Sequence, residues 1–300
     1  MADGVALACV EQTPAGARLC WLEALAGPPE QQGALLCACV ERRQAAGLPT
    51  VLLLARGSYN LIQTERPEVP DNELSEALRW QLRDLFDFPA EQAIIEAVTF
   101  DQAAAGQPLT FAVAASSARL RPLVAQVRDQ AGLDLRVIDI PELVLRELLR
   151  DEQSSQRGVA LLCLWPGSGL VLVSRAGELC MARRFNIGLD ELTALAEPVT
   201  DGIEISAAQQ EMLDALVLEV QRSLDYYESH ITRQPVSRVL VAPLRQPLPG
   251  LIDYLNSYLT PETLFIPLRS YVADLPEDEA LCAFGFTALA AALRALRETS

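Results

Sequence analysis

Two hydrophobic periods alternate along this chain and lay out its elements. Short apolar runs at 5–10 and 18–25, joined by Thr13-Pro14-Ala15-Gly16, predict a β-hairpin. A helical period follows over 31–46, with Leu35, Leu36, Cys39 and Val40 inward and Gly47 and Pro49 as its stop. Strands are predicted at 50–55, 60–64, 94–100 and 109–115, a helix at 119–131 ended by Gly132, a strand at 135–140, and a helix over 142–149 opened by Pro141. The second half begins with three apolar strands, 159–164, 170–175 and 178–185, separated by Trp165-Pro166-Gly167-Ser168-Gly169 and Ala176-Gly177, an antiparallel meander. The longest helix is expected over 209–231, its stripe made of Leu213, Leu216, Val217, Val220, Leu224, Tyr227 and Ile231. A strand at 236–241, a helix at 250–259, a strand at 263–266 and an Ala/Leu-rich helix at 282–296 complete the chain. The polar run 151–157 (DEQSSQR) is the expected hinge between halves.

One stretch, 70–96, organises the first half. Asp71 or Asn72 is positioned to cap a helix, with Glu73 and Glu76 near its positive end. Leu74, Leu78, Leu82 and Leu85 form one apolar stripe, and Pro89 after Phe88 ends the helix before a strand. Trp80 lies nearly opposite that stripe, in the sector of Glu73, Glu76, Asp84 and Asp87. A tryptophan there is either clamped beneath a neighbouring subdomain or available to a partner. Residues 51–115 thus spell strand, strand, helix, strand, strand, a small α+β unit.

Length and charge narrow the function classes. Three hundred residues exceed one ordinary core, so two domains or a duplicated architecture is expected. With Lys+Arg 24 against Asp+Glu 40 the formal charge is −16, and no basic run exists to hold nucleic acid or an anionic membrane. No uninterrupted apolar run reaches membrane-spanning length, and the start MADGVALACVEQ lacks a secretion signal, so a cytoplasmic protein is expected. Seven cysteines, mostly within apolar runs, fit reduced thiols. Cys37-Ala38-Cys39 has no second pair at zinc spacing, and the single histidine, His230, sits where a cation suits a helix end, so no metal site is expected. There is no phosphate-binding Gly-Lys-Ser/Thr loop or dinucleotide fingerprint, and no carboxylate pair that must share a pocket; catalytic residues are expected to be none.

Several segments together resemble the PilM-type proteins, the actin-like cytoplasmic components of type IV pilus inner-membrane platforms, and within them the branch serving mannose-sensitive haemagglutinin pili. Val69-Pro70, Glu73-Leu74, Ala77-Leu78-Arg79-Trp80 and Phe88-Pro89 match the family's small inserted subdomain, and Asp139-Ile140-Pro141 the end of its first half. Gly177-Glu178 with Arg183-Arg184-Phe185, Ile187 and Gly188 resembles its dGevlfsRsiplG hairpin. The segment 219–227 resembles its EIrRSLdyY helix, Leu248-Pro249-Gly250-Leu251 its lpgL turn, and Ala283-Phe284-Gly285 falls near its final helix. The resemblance implies an α/β, actin-like (ribonuclease H-type) two-lobed fold with a small inserted α+β subdomain. Its expected bounds are 1–48 with 116–150 for the first lobe, 49–115 for the insert and 151–300 for the second lobe.

It also implies an adaptor attached peripherally to the inner membrane through its partners. The tail of a PilN-like single-pass protein would dock between insert and first lobe, near Trp80, Arg79, Arg83, Tyr59 and Asn60, alongside other platform components. An actin-like cleft binds ATP with magnesium through two hairpins carrying Asp and Gly. Here the first hairpin lacks its first strand and Asp, with Asp3-Gly4 as the entry to the next strand, and Cys163-Leu164-Trp165-Pro166-Gly167-Ser168 stands in the second. Val241-Ala242-Pro243-Leu244 replaces the adenosine-side Gly-Gly pair. Pro166 removes a donor and Trp165 adds bulk, so no cofactor and no ATPase activity are expected. Gly167, Ser168 and Gly169 form either an anion nest or, the simpler expectation, a plain β-turn. An ATP-binding switch and a filament former are the competing readings.

Overall fold

A computed structural model describes residues 4–101, 108–150, 157–194 and 206–299. Asp3, residues 102–107 between two of the predicted strands and residues 151–156 of the expected hinge lie outside the described residues.

The chain opens with β1 (Gly4–Thr13) and β2 (Gly16–Ala26), an antiparallel hairpin with a bulge after Cys9. Helix α1 (Gln32–Arg43) packs Leu36 and Val40 against Trp21, and Glu23 on β2 pairs with Arg42 at 3.0 Å and with Arg43. It ends earlier than Gly47 implies. Gln44 takes a left-handed φ of 52°, and Ala45 N–H closes the last turn on the Val40 carbonyl at 2.9 Å.

Strand β3 (Pro49–Leu53) pairs in parallel with β7 (Asp134–Asp139), some eighty residues on. The small α+β unit therefore has three strands of its own: β4 (Tyr59–Thr64), β5 (Ala93–Phe100) and β6 (Leu109–Ser116), in the order β4-β6-β5. Helix α2 (Asp71–Leu82) covers one face of this sheet, setting Leu74, Leu78 and Leu82 on Ala93, Ile95, Ala112 and Ala114. Two expectations fail here. Asp71 does not cap the helix but pairs with Arg66, and Leu85 leaves the stripe because a 3-10 turn over Arg83–Leu85 rotates it outward, 58% exposed. The opposite face of the sheet carries Tyr59, Phe100 and Phe111 into the main core. Helix α3 (Ser117–Ala125), extended by a π-type turn to Gln130, returns the chain to β7, and α4 (Pro141–Leu148) follows.

In the second half β8 (Val159–Trp165), β9 (Ser168–Arg175) and β10 (Glu178–Phe185) form the expected meander. Ala176 and Gly177 both adopt positive φ at its second turn, the twist a tight hairpin needs. Helices α5 (Leu189–Ala194) and α6 (Ala207–Tyr226) follow. The parallel strands β11 (Arg238–Val241) and β12 (Glu262–Phe265), with α7 (Leu251–Tyr258) between, complete a five-stranded sheet ordered β10-β9-β8-β11-β12. Every residue of β8 is buried, which is why it reads as an unbroken apolar run. Helix α8 (Glu279–Thr299) is long and apolar enough from Glu279 to Leu296 to cross a membrane by length and composition. It is a core helix instead: Cys282, Phe286, Leu289 and Ala290 are buried, and it packs on α4, β1, β2 and β3. Among the described residues no three His, Cys, Asp or Glu side chains come together to hold a metal ion.

Helix α6 continues into a π-type turn whose Tyr227 is fully enclosed and donates its hydroxyl hydrogen to the Arg157 carbonyl at 3.2 Å. Burial pushes that phenol up to about 12. An unfolded tyrosine ionises near 10, so the folded chain keeps its proton over an interval where the unfolded chain has lost it. Stability is expected to be unaffected by this group below about pH 9 and to fall from about pH 10 to 12. Urea titrations across that range should show a shallower fall in Tyr227→Phe.

Candidate functional site

The β8–β9 hairpin turns through Pro166 and Gly167, with Trp165 paired to Ser168. Neither Gly167 nor Gly169 is left-handed, so the turn is a plain β-turn rather than an anion nest. The chain's own atoms pack close beside Gly169 and Gly188, whereas a Cβ on Gly167 would meet open space. A Cβ on Gly169 would lie 2.0 Å from the Phe185 ring, and one on Gly188 would lie 1.9 Å from the Pro166 carbonyl oxygen. Asp190 N–H closes on that same carbonyl at 3.2 Å. On the other side the Arg56 guanidinium, from the loop between β3 and β4, lies 3.8 Å over the Trp165 ring. Cys163, where a magnesium-binding Asp would be expected, is buried, and burial pushes its thiol far up.

Arg56 is the residue that sequence reasoning missed. Burial, then Arg245 and Arg184, push its guanidinium down to about 10, and its Nη1 is buried without an acceptor. Nothing local in Ala55-Arg56-Gly57-Ser58 announces this, because the partners come from β8, β10 and the loop after β11.

Beside it lies a buried polar junction. Tyr59 donates to Glu142 Oε2 at 2.5 Å, and Arg184 Nη2 donates to the Tyr59 hydroxyl at 2.6 Å. Arg184 Nε and Nη2 both reach Glu142 Oε1, at 2.9 and 2.5 Å. Glu142 is 1% and Tyr59 3% exposed. Burial first, then the Glu142 charge, hold the Tyr59 phenol far above its ordinary range. Tyr59 is therefore committed to the interior, and the tail contact expected of it is withdrawn.

The other expected contact residues divide between locations. Trp80 stands on the side of α2 away from the sheet, 64% exposed, with Arg83 6.0 Å from its ring centre and exposed Leu85 following. Arg79 instead turns back to the sheet and donates to the Ala93 carbonyl at 3.2 Å. Asn60 lies on β4, an edge strand of the small sheet, and its Oδ1 is buried without a partner. Trp80 and Tyr59 thus lie on opposite sides of the small sheet, and among the described residues they share no surface.

No family model matches the chain, and no curated protein matches it in sequence. Solved structures do. A chain of a PilM–PilN type IV pilus biogenesis complex superposes with a TM-score of 0.76 at 19% identity, covering 98% of both chains. The cytoplasmic domain of EpsL, an inner-membrane component of the type II secretion system of Vibrio cholerae, gives 0.50 at 13% identity over 99% of this chain and 96% of that one. A Bacteroides thetaiotaomicron protein of unknown function, described as having an actin-like ATPase fold, gives 0.49 at 8% identity over 87% and 91% of the two chains. The fold of this chain is the actin-like α/β fold.

The junction predicts a measurable cost. Tyr59→Phe leaves Glu142 and Arg184 each short of one partner inside the protein, so unfolding stability should drop by about 1–3 kcal/mol in urea. An unchanged midpoint would show that the phenol adds nothing there.

Proposed function

We propose that this protein is a non-catalytic cytoplasmic adaptor of a type IV pilus inner-membrane platform, of the MSHA (MshI) type, that binds the cytoplasmic tail of a PilN-like single-pass protein. One observation carries the reading: Phe185, Gly188 and Arg56 of the chain itself pack against Gly169, Pro166 and Trp165 of the hairpin that would embrace a triphosphate. The similarity in fold to a protein solved in a PilM–PilN complex supports the choice of partner. In this reading the protein joins the inner membrane peripherally, and the chain divides into two lobes and an insert, with β3 counted in the first lobe because of its pairing with β7.

The docking surface we assign is the outer side of α2, centred on Trp80 with Arg83 and Leu85, together with the open β4 edge at Asn60. An extended tail can add to a free strand edge, and an exposed tryptophan beside a guanidinium offers a large rigid contact. Trp80 is solvent-facing, so Trp80→Ala should leave the circular dichroism spectrum intact. Its affinity for a synthetic peptide of the tail is expected to weaken by about 2 kcal/mol or more, roughly thirtyfold, in titration calorimetry. Equal affinity of the two proteins would remove Trp80 from the interface.

A second reading, an ATP-binding switch, draws on the unsatisfied Arg56 Nη1 and on Arg184 and Arg245 near it, cations that a phosphate would suit. Mg-ATP at about 100 times its dissociation constant would stabilise such a protein by roughly 2.7 kcal/mol. The adaptor reading expects no rise in Tm up to millimolar Mg-ATP. A saturable rise would replace it with the switch.

A further inference from the structure

Of the seven cysteines, two meet. Cys9 on β1 pairs across the strands with Trp21, Val10 pairs with Leu19, and Cys20 is the extra residue that makes the bulge between those pairs. The bulge sets Cys20 beside Cys9 across the two strands, near enough for each thiol to act on the other. In a bulge two residues oppose one on the partner strand, so Cys20 shares Cys9 with Trp21, and residues so opposed stand roughly 5 Å apart at Cα, inside the window of about 4.4–6.8 Å that a disulfide spans. Cys20 is exposed and Cys9 half-buried, whereas Cys39, Cys163, Cys180 and Cys282 are buried. Cys37 is half-buried on α1.

From this placement in the bulge we propose that Cys9 and Cys20 form a reversible thiol–disulfide site, oxidised by low-molecular-weight disulfides of the glutathione class. The exposed Cys20 thiolate attacks one sulfur of the small disulfide. A mixed disulfide forms on Cys20 as the small sulfur–sulfur bond breaks, and one small thiolate departs. Cys9 then loses its proton to solvent and attacks the Cys20 sulfur, making the Cys9–Cys20 bond and releasing the second small thiol. Two electrons and two protons pass in all from the protein dithiol to the small disulfide. Burial, then Cys20 and Glu11, push the Cys9 thiol up to about 11, which fits the resolving rather than the attacking role.

The site lies where the two halves of the chain join. Leu19 N–H donates to the Ala273 carbonyl at 3.0 Å, and Ala273 N–H returns to the Ala17 carbonyl at 3.0 Å. Oxidation would fix the bulge next to this junction and stiffen the attachment of the hairpin to the second half.

Full-length protein equilibrated in a series of reduced and oxidised glutathione ratios, quenched with N-ethylmaleimide, tests this directly. At the oxidising end the intact mass should fall by two hydrogens with two thiols protected, and cleavage after Arg18 should give two peptides joined through Cys9 and Cys20. Cys9→Ser should instead stop at a mixed disulfide, gaining one glutathione on Cys20. Full alkylation of both cysteines at every ratio would overturn the proposal. So would wild-type protein that accumulates glutathionylated Cys20 as the variant does.

Discussion

The arrangement of this molecule turns on Glu142, an acidic side chain with almost no access to water, held by Arg184 and Tyr59. Stranding a charge of this kind costs several kcal/mol, so wherever α4 goes, a cation and a donor must go with it. Arg184 comes from β10 and Tyr59 from β4, which fixes the small sheet, α4 and the end of the large sheet against one another. Replacing such a cluster with apolar groups is often neutral for stability, whereas removing one member strands the others. The same device appears once more where Arg294 of α8 pairs with buried Asp139 at the end of β7. Every side-chain cation of this chain other than His230 is an arginine, a fork that can satisfy two acceptors while its stem stays buried.

Periodicity made much of the fold legible. The stripe of Leu74, Leu78 and Leu82, the unbroken run of β8 and the long stripe of α6 each have one cheap way to bury themselves, and local spacing records it. Pairing over long separations left no such record. Val51-Leu52-Leu53 is equally apolar whether it joins the small sheet or β7, and only the tertiary fold decides. Face assignment was similarly hidden. Tyr59 and Asn60 are neighbours in sequence on opposite faces of β4, so one is sealed in the main core and the other lies on the face that α2 covers. Leu85 kept the leucine spacing but not the helix, because the 3-10 turn breaks the angular count.

Turn chemistry explains what happened at the β8–β9 hairpin. Proline at its first corner removes an N–H and leaves glycine at the second in an ordinary conformation, so no crown of donors is formed for an anion. Trp165 supplies a ring face, and a guanidinium has settled on it. Cation and ring satisfy each other only in part, since Arg56 retains a donor with no acceptor and two arginines close by. A hairpin that in a nucleotide cleft would wait for phosphate here packs against its own neighbours.

In the proposed adaptor the β8–β9 hairpin and the outer side of α2 have different parts. The contacts that hold the small sheet, α4 and the large sheet together are internal and need no ligand. The side of α2 that carries Trp80 is polar and acidic apart from Arg83, with Glu73, Glu76, Asp84 and Asp87 exposed around it. On a chain of formal charge −16, such a face draws basic segments by long-range attraction and repels acidic ones. Affinity must then come from the few groups that desolvate on contact, and Trp80 offers the largest area at the smallest cost in side-chain freedom. In the adaptor we propose, charge sets which segments arrive, and the tryptophan decides which of them stay.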